Sequence, residues 1–136
     1  MSAPVFRAAR LDDLAAIVAM LADDDLGRGR EGATVSAEYV QAFADIERSK
    51  DNTLIVAEID GRVAGCLQLT IIPGLSRQGA KRALIESVRV ASGTRGQGLG
   101  EKLMQHAIAN APAPWMAQTT QNQLERVRRL LATARS

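Results

Sequence analysis

The residues in this chain best suited to hold an anion are Arg95-Gly96-Gln97-Gly98-Leu99-Gly100. They follow an apolar, β-branched run from Ala83 to Val90 and open a segment with helical periodicity from Leu99 to Ala111. A strand, a glycine-rich turn and a helix start, in that order, make a cradle of peptide N–H groups. Glycine lets the backbone approach a ligand closely, and the first N–H groups of a helix have no partners inside it. Those groups and the helix dipole favour a phosphate or diphosphate. The hexapeptide is not a Walker loop, because no Gly-Lys-Ser/Thr closes it. It is not a dinucleotide fingerprint either, which needs G-x-G-x-x-G at the start of a βαβ unit and an acid about 20 residues on.

Glu86 is the second residue type that could do chemistry. It is an acid inside the apolar strand, where an unpaired charge is costly. Burial there would raise its pKa toward the range useful to a general base, with one water relaying the proton. The structural alternative is pairing with Arg82 or Arg89, or a carboxylate that reaches solvent at a cleft. His106, the only histidine, lies with Lys102, Gln105 and Ala109 off the apolar stripe of its helix. It is expected to be exposed rather than catalytic. Cys66 sits among apolar strand residues and is expected to act as a small buried hydrophobe. No metal site is expected.

The elements that must position these residues can be traced along the chain. Pro4 to Ala9 is a strand, and Leu11, Leu14, Ile17, Val18 and Leu21 recur at helical spacing behind Asp12 and Asp13. Asp23 to Thr34 is a polar loop. Ser36 caps a second helix to about Arg48 that buries Val40, Phe43 and Ile46 or their neighbours. Asn52–Asp60 and Arg62–Ile72 are strands joined by the Asp60-Gly61 hairpin signal. Pro73-Gly74 ends the second, and Ser76–Lys81 is a loop. Arg82–Val90 is a strand, Ala91–Gln97 a loop and Gly98–Asn110 a helix whose Leu99, Leu103, Met104, Ala107, Ile108 and Ala111 form a core stripe. Trp115–Thr120 is a short strand, and a last helix runs from Gln123 to about Ala134.

Composition narrows the class. A chain of 136 residues fits one domain, residues 1–136, with a core that is mostly aliphatic because aromatics are 3%. The net charge of +2 is too small to imply a nucleic-acid partner. Arg126, Arg128, Arg129 and Arg135 face only Glu125 near the end and read as a solvated helix face. A single cysteine allows no internal disulfide and fits a reducing compartment. The first residues do not form a signal peptide, and no apolar run approaches the roughly 18 residues that span a membrane. A soluble, cytoplasmic protein is expected.

With its strand before and its helix after, the loop resembles the acyl-CoA signature of the GCN5-related N-acetyltransferases, R/Q-x-x-G-x-G/A. Arg95, Gly98 and Gly100 stand at the first, fourth and sixth positions. Leu84 to Val90 is similar to the strand that leads into the loop in that family, and the order β-α-α-β-β-β-α-β-α matches from the start. The resemblance implies an α/β (α+β) fold: a mixed, mostly antiparallel sheet with helices on both sides. Two parallel strands, here Leu84–Val90 and Trp115–Thr120, would splay to admit the pantetheine arm of acetyl-CoA. It also implies that amides from Arg95, Gly96, Gln97, Gly98, Leu99 and Gly100 hold the pyrophosphate, with the Arg95 side chain adding charge. Backbone groups of Val88, Arg89 and Val90 would pair with the pantetheine, an amide near Val88 would polarise the thioester, and Glu86 would be the general base.

The end of the chain departs from the pattern. The family's final-helix motif has no match in Leu130 to Ser136: Leu131 stands where a tyrosine often protonates the thiolate, and the terminal strand pair is missing. The strand at 115–120 would then present an unpaired edge, so a homodimer is expected. The expected activity is acetyl transfer from acetyl-CoA to a primary amine of a small molecule or peptide. Asp23, Asp24 and Asp25 are candidates to attract a cationic amine, or form a solvated helix end. The competing reading is a non-catalytic or impaired CoA-binding module. A nucleotide-phosphate binder outside the family would need a Lys-Ser/Thr or a distal acid that the sequence lacks.

Overall fold

The computed structural model describes residues 2–23, 34–111 and, as backbone only, 115–119. The elements are β1 (Val5–Ala8), a 3-10 turn (Leu11–Asp13), α1 (Leu14–Ala22), α2 (Ala37–Arg48), β2 (Asn52–Ile59), β3 (Arg62–Ile72), α3 (Ser76–Gly79), β4 (Lys81–Val90), a second 3-10 turn (Ser92–Thr94), α4 (Leu99–Asn110) and β5 (Trp115–Thr119). The strands form one sheet in the order β1-β2-β3-β4-β5. The first four are antiparallel, and β5 runs parallel to β4. This is the mixed, mostly antiparallel sheet expected from the sequence. The expected last helix, most of the loop at 23–34, and the position of Leu131 lie outside the described residues.

Both faces of the sheet are covered, because successive strand residues point to opposite sides. Ile55, Ala57, Leu67, Leu69, Ala83 and Ile85 pack with Leu99, Leu103, Met104, Ala107 and Ile108 of α4. Val56 and Cys66 face the other way and meet Ile17 and Met20 of α1. Leu14, Val18 and Phe43 join α1 to α2. On α2 the expected Val40 is 42% exposed, and Tyr39 packs against the cluster instead. Ser36 holds the extended N-cap position of α2, and its carbonyl accepts the first helix bond from Val40, but its hydroxyl makes no cap bond to the helix N–H groups. The N–H of Glu38 and the Ser36 hydroxyl hold the Glu38 carboxyl below its ordinary pKa.

Two turns are set by left-handed residues. Asp60 and Gly61 have φ of 52° and 80°, the requirement of a tight two-residue hairpin. The segment expected to be a plain loop after Pro73-Gly74 holds α3, a single left-handed turn in which Arg77, Gln78 and Gly79 have φ of 55°, 60° and 79°. The N–H of Gly79 donates to the Leu75 carbonyl at 3.1 Å and closes it.

One charged cluster ties the first strand to the first helix. The Arg7 guanidinium donates to both oxygens of Asp13, at 2.7 and 3.0 Å, and to Glu58 at 3.0 Å. The Arg10 N–H also donates to Asp13, at 2.7 Å. Asp13 is buried, at 6% exposure. Its bond to Arg7 holds its carboxyl below the ordinary 3.8, against the opposing effect of burial. A carboxyl with a depressed folded-state pKa stabilises above its unfolded value, and that contribution is lost as pH falls through the folded value. Urea midpoints should therefore hold near neutrality and drop once the pH is below about 4. Asp13→Asn should lower the midpoint at pH 7 and flatten the acid limb. An unchanged acid limb in that variant would remove this cluster from the account.

Candidate functional site

Strand β4 is the wall between two cavities, and an irregularity in it sets them apart. Gln68 pairs with Glu86 and Cys66 with Arg89, so β4 carries one more residue than β3 across this interval. The extra residue is Ser87, with φ of 56°. A bulge of this kind kinks the strand and re-aims its side chains. Val88 and Val90 pack toward α4, whereas Cys66, the register partner of Arg89, faces α1. The Arg89 guanidinium donates to the Val88 carbonyl at 3.1 Å.

The pairing of β4 with β5 runs from Lys81↔Trp115 to Ile85↔Thr119. From Glu86 to Val90 no described strand pairs with that edge of β4. An open cleft of about 800 Å³ lies there, lined by Val88, Val90, Arg95, Gly96, Gly98 and Gly100 among others.

The loop after β4 is fixed at both ends and open between them. The N–H of Ala91 donates to Ala64 at 2.8 Å and that of Thr94 to Ala91 at 2.9 Å. At the far end Leu99 is 4% exposed and anchored in the core against α4's own stripe. Arg95, Gly96, Gln97 and Gly98 are exposed between these anchors. Gly96 and Gly98 have φ of 83° and 77°, and Gly98 is the residue that caps α4. Among the described residues, no acceptor meets the N–H groups of residues 96–100, and the first N–H bond into this helix is Lys102 to Gly98 at 3.1 Å. A run of free N–H groups at a helix start suits a diphosphate.

The Arg95 side chain takes a different direction. Its guanidinium donates to the Val90 carbonyl at 3.1 Å, to the Asp23 carbonyl at 3.1 Å and to the Asp23 carboxylate at 3.3 Å. Its charge is therefore directed to the end of α1. Lys102, one turn into α4, lines an adjoining groove with Gln97, Thr94 and Ser2. Sequence reasoning passed over Lys102, although a basic residue just after the glycine loop was the available signal.

On the other side of β4 a cavity of about 550 Å³ lies between α1, α2 and the sheet, and Gln68 and Ser87 reach its wall. The peptide that joins Ser87 to Val88 thus has one cavity on each side. Glu86 is half-buried beside it, and no hydrogen bond or ion pair links it to Arg82, Arg89 or another described side chain. Cys66 is 2% exposed, and burial pushes its thiol up to about 12, so it is a core residue and no nucleophile. His106 departs from expectation: it is half-buried and stacks on Phe6 with ring centroids 5.0 Å apart. That contact is packing between α4 and β1. No group of metal-ligating side chains occurs among the described residues, and no helix among them is long and apolar enough to cross a membrane.

Residues 16–132 match the model of the acetyltransferase (GNAT) family. The chain is 39% identical to a transcriptional regulator from Bacillus halodurans, with a TM-score of 0.85 over 97% of this chain and 91% of that one. Its fold is also that of glucosamine-6-phosphate N-acetyltransferase from Arabidopsis thaliana, at 21% identity and a TM-score of 0.69 over 95% and 90% of the two chains. An aminoglycoside N-acetyltransferase in complex with CoA shares it too, at 12% identity and a TM-score of 0.68 over 97% and 87%. No curated protein matches.

The glycine at 98 offers a direct test of the cradle. A Cβ there would meet nothing within 4 Å, so a substitution acts through the backbone alone. Forcing Ala into the left-handed region costs about 1–2 kcal/mol. Gly98→Ala should weaken CoA binding in calorimetry by about tenfold, the equivalent of 1.4 kcal/mol. An unchanged affinity would mean that the loop does not hold the ligand.

Proposed function

The chain belongs to the GNAT acetyltransferase family, and from that premise we propose that it moves an acetyl group from acetyl-CoA to a primary amine of a small molecule or peptide. The observation that carries this reading is the run of N–H groups at 96–100 that no described acceptor meets, beside the edge of β4 at 86–90 with which no described strand pairs. An open cleft lined by both fits an elongated ligand that carries a diphosphate.

Acetyl-CoA supplies an activated acyl group and a thiolate that departs. The residues of the chain do the rest. Backbone groups of residues 95–100 hold the diphosphate, and those of Val88, Arg89 and Val90 align the pantetheine arm as an added strand. An N–H near Val88 donates to the oxygen on which negative charge develops. The acceptor amine approaches from the Ser87 side and must be neutral to attack. Glu86, half-buried on the strand between the cavities, takes its proton, directly or through one water.

The test separates binding from chemistry. Acetyl-CoA should raise the thermal midpoint of both the native chain and Glu86→Gln, because the ligand binds the native state. Thiol release with an accepted amine should fall in Glu86→Gln by about 10²-fold, with KM for acetyl-CoA unchanged. Equal turnover in the two proteins would remove Glu86 from the reaction. A thermal shift with no thiol release from any amine would identify a CoA-binding module instead.

A further inference from the structure

Among the described residues, the wall of the cavity on the Ser87 side is mostly apolar. Its wall includes Leu14, Val18, Tyr39, Phe43 and Leu54, and among the described residues no charged side chain lines it. Gln68 and Ser87 supply polar groups where it meets the sheet, and Tyr39 supplies a hydroxyl from α2. Gln68 is the register partner of Glu86. The carboxylate nearest in the chain to α1's end, Asp23, is already paired with Arg95. A second ammonium or a phosphate placed against this wall would lose its hydration with no opposite charge from a described lining residue in return. The apolar wall suits a small molecule with apolar bulk.

We infer that the acceptor is a primary amine attached to an apolar aromatic or aliphatic group, which lies in the cavity between α1 and α2 while its amine sits at Ser87. The inference rests on the acetyl-transfer reading and adds the class of acceptor to it. A sugar amine with a phosphate, or one with several ammonium groups, is disfavoured by the same wall. The apolar arm and the reacting nitrogen occupy opposite ends of one cavity, so the arm orients the nitrogen toward the Ser87–Val88 peptide.

Calorimetry on the CoA-saturated chain tests this with 2-phenylethylamine as the probe, and glucosamine 6-phosphate and kanamycin as the comparison. The probe should bind at least about tenfold more tightly than either sugar amine. Ala42 lies at the exposed margin of the cavity, so Ala42→Trp obstructs it without disturbing the core. That variant should weaken the probe at least about tenfold and keep its CoA affinity, which also shows that it is folded. The inference is overturned if a sugar amine binds as tightly as the probe, if the probe fails to bind although CoA does, or if Ala42→Trp leaves the probe's affinity unchanged. Failure of CoA itself to bind would overturn the acetyl-transfer reading instead.

Discussion

A helix start with unpaired N–H groups is costly to hold open, and the site depends on how this chain does so. Residues 96–98 face solvent while the backbone on either side of them is pinned. Burial of Leu99 contributes about 1.5–3 kcal/mol, enough to outweigh the order of 1 kcal/mol that fixing a neighbouring loop residue costs. The second pin is the closeness of α4 to the sheet. A Cβ at Gly65 would stand 2.8 Å from a Leu103 methyl and 3.2 Å from the Arg89 carbonyl, so only glycine lets α4 lie this near β3 and β4. Glycines thus serve two ends of one arrangement: at 96 and 98 for backbone conformation, at 65 for distance.

The bulge at Ser87 decides which side chains of β4 face each of the two cavities. In a regular strand, Val88 and Val90 would both point away from the face that Ile85 occupies, and the α4 face would lose its apolar continuity. With the extra residue, Ser87 lines the cavity on the α1 side, as does Gln68, the register partner of Glu86, while Val88 returns to the α4 side. Arg95 links β4 to α1 mechanically, since one guanidinium bonds β4's last carbonyl and the last turn of α1.

Much of this was legible in the sequence, for identifiable reasons. The helical stripe from Leu99 to Ile108 and the alternating strands around Asp60-Gly61 carry periodicities that local residue types dictate, and their boundaries agree to within a residue or two. The glycine loop was legible because its chemistry is backbone chemistry. Side-chain geometry was less so. The sequence could not say that Arg95 would bond Asp23, because that contact spans 72 residues. His106 was misplaced because its stacking partner Phe6 comes from β1, far away in the chain. Val40 and Tyr39 are neighbours on α2, and the choice between them depended on where α1 lay. The bulge left one trace: Glu86 and Ser87 are two adjacent polar residues inside the otherwise apolar run 83–88, and only an extra residue in the ladder puts both on one side. The left-handed turn at 77–79 left no signal beyond Gly79.

The central claim is that peptide nitrogens at the start of α4 grip the diphosphate of CoA. A titration of ¹⁵N-labelled chain with CoA, followed amide by amide, tests it most directly. The account predicts that the N–H resonances of residues 96–100 shift first and furthest, with those of 88–90 following as the pantetheine arm aligns. Saturable binding that leaves 96–100 unmoved, with the shifts confined to other parts of the chain, would contradict it.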